Sequence, residues 1–284
     1  MSSFKLLDGL LGLSPDDQKL LSQFGQGPQQ SVPHPTVHEA FESIVDAIPD
    51  SIAAVFEQTS ITYRHLDIEA NQLAKSLIAS GLQPRERVCL VVSRSLEMLV
   101  GIFAILKAGC QYVPVDGGVA SDRQLTHIFT DTAAKHILCL PKFQTRVEQF
   151  AGTAAHITQL RLDGSYKESI SRPFVGCSPS DGCYAIYTSG KYPPYIPKML
   201  LTRCAGSTGT PKGVSVTHAN VANALLLEPA NLGIKKGSKV GSVLSVAFDM
   251  GAWEILACLM NGGTLYMRGS RWEATLEKVS KLFR

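Results

Sequence analysis

Residues 187–190 read Tyr-Thr-Ser-Gly and residues 207–213 read Ser-Thr-Gly-Thr-Pro-Lys-Gly, with sixteen unrelated residues, Lys191 to Gly206, between them. Joined, the halves give YTSG-STGTPKG, a Gly/Ser/Thr-rich loop that ends in a lysine. That composition suits a polyphosphate. Glycines let the backbone come close, successive N–H groups form an anion nest, and hydroxyls with one ammonium complete the cradle. It is not a Walker A loop: Pro211, not a glycine, precedes Lys212, and Gly213 replaces the magnesium-binding Ser or Thr. Thr188, Ser189, Gly190, Ser207, Thr208, Gly209, Thr210 and Gly213 are read as phosphate-cradle residues. Lys212 is read as the catalytic group, whose charge would offset charge that develops on bound phosphates as a bond to them breaks.

The loop sits in an alternation of strands and helices. Outward from it, Gly182 to Thr188 predicts the strand that delivers the loop and Gly213 to Val216 the strand that leaves it. Thr217 caps a helix running through Leu227. Upstream, Thr36 caps a helix with Val37, Phe41, Ile44 and Val45 on its apolar side. Strands are expected at 51–56, 60–63, 87–92, 112–115, 135–140 and 155–162, and helices at 65–80, 96–107, 121–132 and 142–150. Strands at 239–244 and 263–267 and helices at 250–260 and 272–282 follow. This alternation predicts an α/β fold of doubly wound sheets with flanking helices. Residues 1–35 read as a lead-in with one short helix (15–24) and a Gly/Gln/Pro linker, and 36–284 as the folded domain.

Three more stretches stand in order around the loop: Ile61-Thr62-Tyr63-Arg64-His65-Leu66; Leu106-Lys107-Ala108-Gly109-Cys110-Gln111-Tyr112-Val113-Pro114-Val115-Asp116; and Ala247-Phe248-Asp249-Met250-Gly251-Ala252-Trp253-Glu254 with Asn261-Gly262-Gly263-Thr264-Leu265. Together with the loop they resemble the core motifs of the AMP-forming adenylating enzymes (acyl-CoA synthetases, luciferases and the adenylation domains of nonribosomal peptide synthetases). The peptide-synthetase branch fits best, through YVPVD and the Phe-Asp pair. By that resemblance Asp249 pairs with the α-amino group of an amino-acid substrate and Trp253 lines its pocket, while Gly251 stands where serine is common. A carboxylate at a helix head also suits an N-cap, and Trp253 also suits a core. The resemblance implies ATP and Mg²⁺ as cofactors and a carboxylic substrate. It also implies a carrier-protein domain whose phosphopantetheine thiol, outside this chain, receives the acyl group. It further implies that 36–284 is the N-terminal, incomplete part of the large adenylation subdomain, inactive by itself.

Composition sets wide bounds. The 284 residues are 45% hydrophobic and 18% charged, with a net charge of +3, an ordinary globular balance that specifies neither a nucleic-acid nor a membrane partner. Seven cysteines (89, 110, 139, 177, 183, 204 and 258) lack CxxC spacing, so no metal site is expected. They are read as reduced core thiols of a cytoplasmic protein. His218, Tyr112, Pro114 and Asp116 are read as structural, Lys107 as a charge set against a helix dipole, and Arg94, Glu97, Asp122 and Arg123 as surface charges. No carboxylate pair or His/Cys cluster is expected to form a second catalytic centre.

The interruption, KYPPYIPKMLLTRCAG, matches neither the motif nor its surroundings, and it separates N–H groups that must converge on one phosphate tail. Gly-Lys-Tyr is encodable as GGT-AAG-TAT, which holds a GTAAGT donor boundary. Leu-Leu-Thr accommodates a CTGAC branch sequence, and Cys-Ala-Gly a GCAG acceptor. Removing the sixteen codons keeps the frame and restores the loop, so 191–206 is expected to be a retained short intron of the kind filamentous fungi carry. Val279-Ser280-Lys281 is likewise encodable as a donor-like sequence. The rival readings are an acyl-CoA or aryl-acid ligase, which has no use for Asp249, and a non-catalytic remnant or misassigned gene product.

Overall fold

The computed structural model describes residues 14–25, 30–188 (Thr188 by its backbone) and 211–269. The chain divides into a unit of Met1–Ser31 and a unit of Val32–Arg284. The first contains α1 (Pro15–Phe24), which opens on Pro15 with the Ser14 hydroxyl accepting the Asp17 N–H and buries none of its side chains.

The second unit is built on two sheets. In chain order it runs α2 (Val37–Ala47), β1 (Ile52–Phe56), β2 (Thr59–Thr62), α3 (Tyr63–Ala79), β3 (Arg87–Val92), α4 (Leu96–Lys107), β4 (Gln111–Asp116), α5 (Asp122–Thr132) and β5 (His136–Cys139). A 3-10 turn (Pro141–Phe143), α6 (Gln144–Phe150), β6 (His156–Gln159), β7 (Gly182–Thr188), β8 (Lys212–Thr217), α7 (His218–Leu226), β9 (Lys239–Ser242), α8 (Asp249–Met260) and β10 (Thr264–Met267) follow. The smaller sheet has the order β2-β1-β10-β9 and the larger β6-β5-β3-β4-β7-β8. The larger is parallel except for its edge strand β8, which runs antiparallel to β7.

The doubly wound arrangement follows from β3, whose five residues Val88 to Val92 are all buried. A strand covered on both faces has no polar alternation to keep. Val88, Leu90 and Val92 join the cluster built with α3 and α4, whereas Cys89 and Val91 join Leu125, Ile128, Phe129 and Val147 of α5 and α6 on the other face. Between the sheets lies α4, which packs on β3 and β4 of the larger and on β1 of the smaller. Every residue of α4 except Glu97 is buried, as expected of a helix apolar on all sides.

The expected elements are present among the described residues, with ends moved by at most three positions; the helix expected at 272–282 lies outside them. The Thr36 and Thr217 hydroxyls cap α2 and α7, and α3 gives way to Gly81 at φ +96°. Three charged-residue readings need correction. The helix expected from Lys142 begins as the 3-10 turn, because Pro141 opens it without a side-chain cap. Lys107 does end α4, but its charge is met by carboxylates and not by the dipole alone, because Glu42 of α2 and Asp67 of α3 close over it in the interior. Arg94 is half-buried rather than on the surface: its Nη2 donates to the Val243 carbonyl and its Nε is enclosed with no hydrogen-bond partner among the described residues. Five of the cysteines (89, 110, 139, 183 and 258) are buried free thiols, Cys177 is half-buried, and Cys204 lies outside the described residues.

Candidate active site

The two stems of the Gly/Ser/Thr-rich loop meet at the carboxyl edge of the larger sheet. β7 and β8 pair from Gly182↔Thr217 to Thr188↔Lys212, so Lys212 stands opposite Thr188 and Gly213 opposite Tyr187. Lys212 and Gly213 are exposed, and Lys212 forms no ion pair with a described residue. This exposed ammonium stands at the mouth of a largely parallel sheet, where ligands of such sheets gather beyond the strands' carboxyl ends. Ser189, Gly190, Ser207, Thr208, Gly209 and Thr210 lie outside the described residues.

A cavity of about 210 Å³ joins these stems to the segment that leads into α8. Tyr187 and Pro211 line it together with Pro114, Asp116, Ser245 and Phe248. Pro114 has no N–H to donate to a neighbouring strand, and β4 and β7 are bridged at one pair, Tyr112↔Tyr184. Asp116 shapes the turn, as the sequence suggests, by accepting the Gly118 N–H (3.1 Å). Its second oxygen accepts the Ser245 hydroxyl at 2.7 Å, a contact 129 positions away that nothing local signals.

Asp249 is the first residue of α8, while Phe248 occupies the cap position and supplies no side-chain cap. The N-cap alternative for Asp249 is therefore not what forms. Its carboxylate is exposed, and Oδ1 accepts the N–H of Met250 (2.8 Å). It also reaches β7 electrostatically: burial first, then Cys183 and the Asp249 charge, push the Tyr184 phenol up to about 12. One turn on, Trp253 is half-buried against the core and donates Nε1–H to the Ala230 carbonyl (3.2 Å).

Glu254 is the residue sequence reasoning passed over. Its Oε2 accepts the N–H groups of Val243 (3.0 Å) and Leu244 (3.1 Å), fixing the segment that leads to Ser245 and Asp249. Burial raises its carboxyl pKa, and these backbone bonds pull it back.

A cluster of His38, Cys177 and His218 also forms, contrary to the sequence expectation, with ligand-type atoms within 4.8 Å of one another. Its chemistry is structural. The Val37 N–H donates to His218 Nδ1 at 3.2 Å, so the ring proton sits on Nε2 and leaves no lone pair there for a metal. Burial holds His218 down to about 4 and His38 to about 3, and pushes the Cys177 thiol up to about 11.

Residues 41–190 and 204–282 match the AMP-binding enzyme family. The chain belongs to that family. Adenylate-forming reductase 06235 of Coprinopsis cinerea is 42% identical over 280 residues, which cover 97% of this chain and 26% of the relative. Tyrocidine synthase 1 of Brevibacillus parabrevis is 30% identical over 253 residues, 88% of this chain and 21% of that protein. The N-terminal subdomain of Klebsiella oxytoca NpsA, in complex with 3-hydroxybenzoyl-AMSN, superposes with a TM-score of 0.72 at 25% identity over 87% of this chain and 57% of that one. The nonribosomal peptide synthetase FmoA3 shares the fold, with a TM-score of 0.74 at 21% identity over 89% of this chain and 25% of that chain. The chain thus spans about a quarter of the length of the curated relatives it matches. No described helix is long and apolar enough to cross a membrane.

Proposed function

We propose that this chain carries the phosphate-loop part of an enzyme that activates a carboxylic acid with ATP as an acyl adenylate. The observation that carries the reading is the β7–β8 register, which sets the exposed Lys212 opposite Thr188 where the loop leaves the sheet. In the reaction a carboxylate oxygen attacks the α-phosphorus, the bond to the bridging oxygen breaks, and pyrophosphate departs. No proton has to move at the reacting atoms, so the work is alignment and charge stabilisation. Lys212 offsets charge on the leaving phosphates and the loop's N–H groups and hydroxyls cradle them. Mg²⁺ bound with ATP would supply further charge neutralisation to the phosphates. The acyl group then passes to a phosphopantetheine thiol on a carrier domain. Asp249 favours an amino acid, because an exposed carboxylate next to the cavity-lining Phe248 can hold an α-ammonium with the oxygen that does not accept the Met250 N–H.

A second reading concerns the fate of the acyl group and the class of acid. The 42% identity to a protein named adenylate-forming reductase supports reduction after activation, and the aryl ligand of NpsA supports an aryl acid. The interruption belongs to the proposal too: the family match stops at 190 and resumes at 204, which supports an intron origin for 191–206, and the 284 residues as they stand are read as inactive. The test begins by sequencing mature message across the codons for Gly190 to Gly206 and beyond Arg284. The encoded protein is then assayed for acid-dependent ATP–pyrophosphate exchange, beside Lys212→Ala. Exchange with amino acids that Lys212→Ala lowers by about a hundredfold or more is expected, the size of a lost charge-stabilising donor. Absence of exchange with amino and aryl acids alike would overturn the activity; aryl acids alone would overturn the role of Asp249.

A further inference from the structure

One helix outside the hairpin holds both stems of the loop. His127 and Asp131 are one turn apart on α5 and so share a face. The Tyr187 hydroxyl on β7 donates to Asp131 Oδ2 at 2.5 Å. His127 Nε2 lies 2.8 Å from the carbonyl of Pro211, the residue before β8, and because a carbonyl only accepts, Nε2 carries the proton. The His127 and Tyr187 rings meet edge to face, with centroids 5.9 Å apart at 87°. Tyr187 reaches α5 by lying across Gly213: a Cβ there would come within 2.9 Å of the Tyr187 ring. The helix itself is anchored, through the Ser121/Gln124 capping box and through Arg146, which bonds Asp122 and the carbonyls of Gly117 and Ala120.

We propose that His127 and Asp131 are positioning residues of the phosphate loop: they clamp its two stems in the Thr188↔Lys212 register and so set where the Lys212 ammonium stands. The functional half of this statement rests on the reading of Lys212 given above; the clamp does not. It also accounts for a paired register despite the length of chain between the stems. Each doubling of a loop costs only about 0.6 kcal/mol of closure entropy, an amount that one hydrogen bond of ordinary net worth, about 1 kcal/mol, offsets. The clamp therefore acts on the stems whatever joins them.

The clamp is tested on the full 284-residue chain by amide hydrogen exchange. Asp131→Ala with His127→Phe removes both contacts, and Asp131→Asn with His127→Gln keeps an acceptor and a donor within reach. The expected result is exchange about tenfold faster over 182–188 and 212–217 in the first pair, near-native exchange in the second, and no change in α4, which reports the fold. Unchanged stems in the first pair, or equal loosening in both, would overturn the clamp. The link to Lys212 is tested in the protein translated from mature message. There Asp131→Ala is expected to lower kcat of pyrophosphate exchange toward that of Lys212→Ala, and Asp131→Asn to restore it. Loosened stems with unchanged kcat would overturn that link, whereas a silent Lys212→Ala would overturn the proposed function and leave the exchange result standing.

Discussion

The Lys107 ammonium stands 2.8 Å from Asp67 Oδ1, an ion contact rather than an aligned hydrogen bond, and its side chain has no solvent exposure. Glu42 pairs with the same ammonium, and Arg172 approaches both carboxylates at 3.6 and 3.7 Å. Three helices and a loop thus meet on one buried charge. Removing the ammonium leaves two largely buried carboxylates with only the longer Arg172 contacts to offset their charge, at a cost of up to about 3–5 kcal/mol. Lys107→Met is expected to lower the unfolding free energy by that amount in a urea titration. A loss under about 1 kcal/mol would mean that Arg172 alone neutralises the pair.

What could be read in the chain, and what could not, divides along the same line. Thr36 and Thr217 as caps, the apolar run of β3 and the two strands of the loop are signalled by neighbours within a few residues, and they form as read. Lys107 carries a local signal too, its place at the end of a helix, but Glu42 and Asp67 come from α2 and α3 and appear only on packing. Glu254 looks like one more motif residue until the Val243–Leu244 backbone folds over it. Tyr187 and Asp131 lie 56 positions apart, so the string YTSG gives no hint that its tyrosine faces α5.

The pH dependence of stability follows from His38 and His218. Both are protonated in the unfolded chain below about pH 6.5, but burial keeps the folded rings neutral down to about 3 and about 4. Acid therefore favours the unfolded chain. This stability is whole above about pH 6.5 and falls as pH drops toward 4, by up to about 1.4 kcal/mol per pH unit for each ring. His136, also lowered by burial, adds the same sign. Urea midpoints between about pH 7 and about pH 5 should decline, and less steeply in His218→Asn, whose amide still accepts the Val37 N–H. An unchanged slope in that variant would show His218 to be protonated in the fold.

Glu254 offers a separate handle on the site. Glu254→Ala removes the shared acceptor of the Val243 and Leu244 N–H groups, at about 0.5–1.5 kcal/mol for each bond lost in this part-exposed segment, and frees the segment carrying Ser245 and Asp249. Glu254→Gln keeps an acceptor and should retain most of the stability. In the assembled enzyme Glu254→Ala is expected to raise KM for the acid more than for ATP. An equal rise in both would place the Val243–Leu244 segment against the nucleotide as well.

Gly251 carries the last prediction, because serine there, common in the resembling family, does not fit this backbone. A Cβ on Gly251 would lie 2.1 Å from the Ser245 carbonyl oxygen and 2.9 Å from its carbon. Backbone cannot rotate aside as a flexible side chain can. That carbonyl accepts the Phe248 N–H at 3.0 Å, and the same residue's hydroxyl donates to Asp116. Gly251→Ser must therefore displace residue 245, stretch both bonds and shift the start of α8 with Asp249 on it. The expected cost is about 1–3 kcal/mol, that of an overpacked site, seen as a lower thermal midpoint and as faster amide exchange over 243–249. Unchanged exchange there, with an unchanged midpoint, would show that the Ser245 turn yields freely and that glycine is not what holds Asp249 in place.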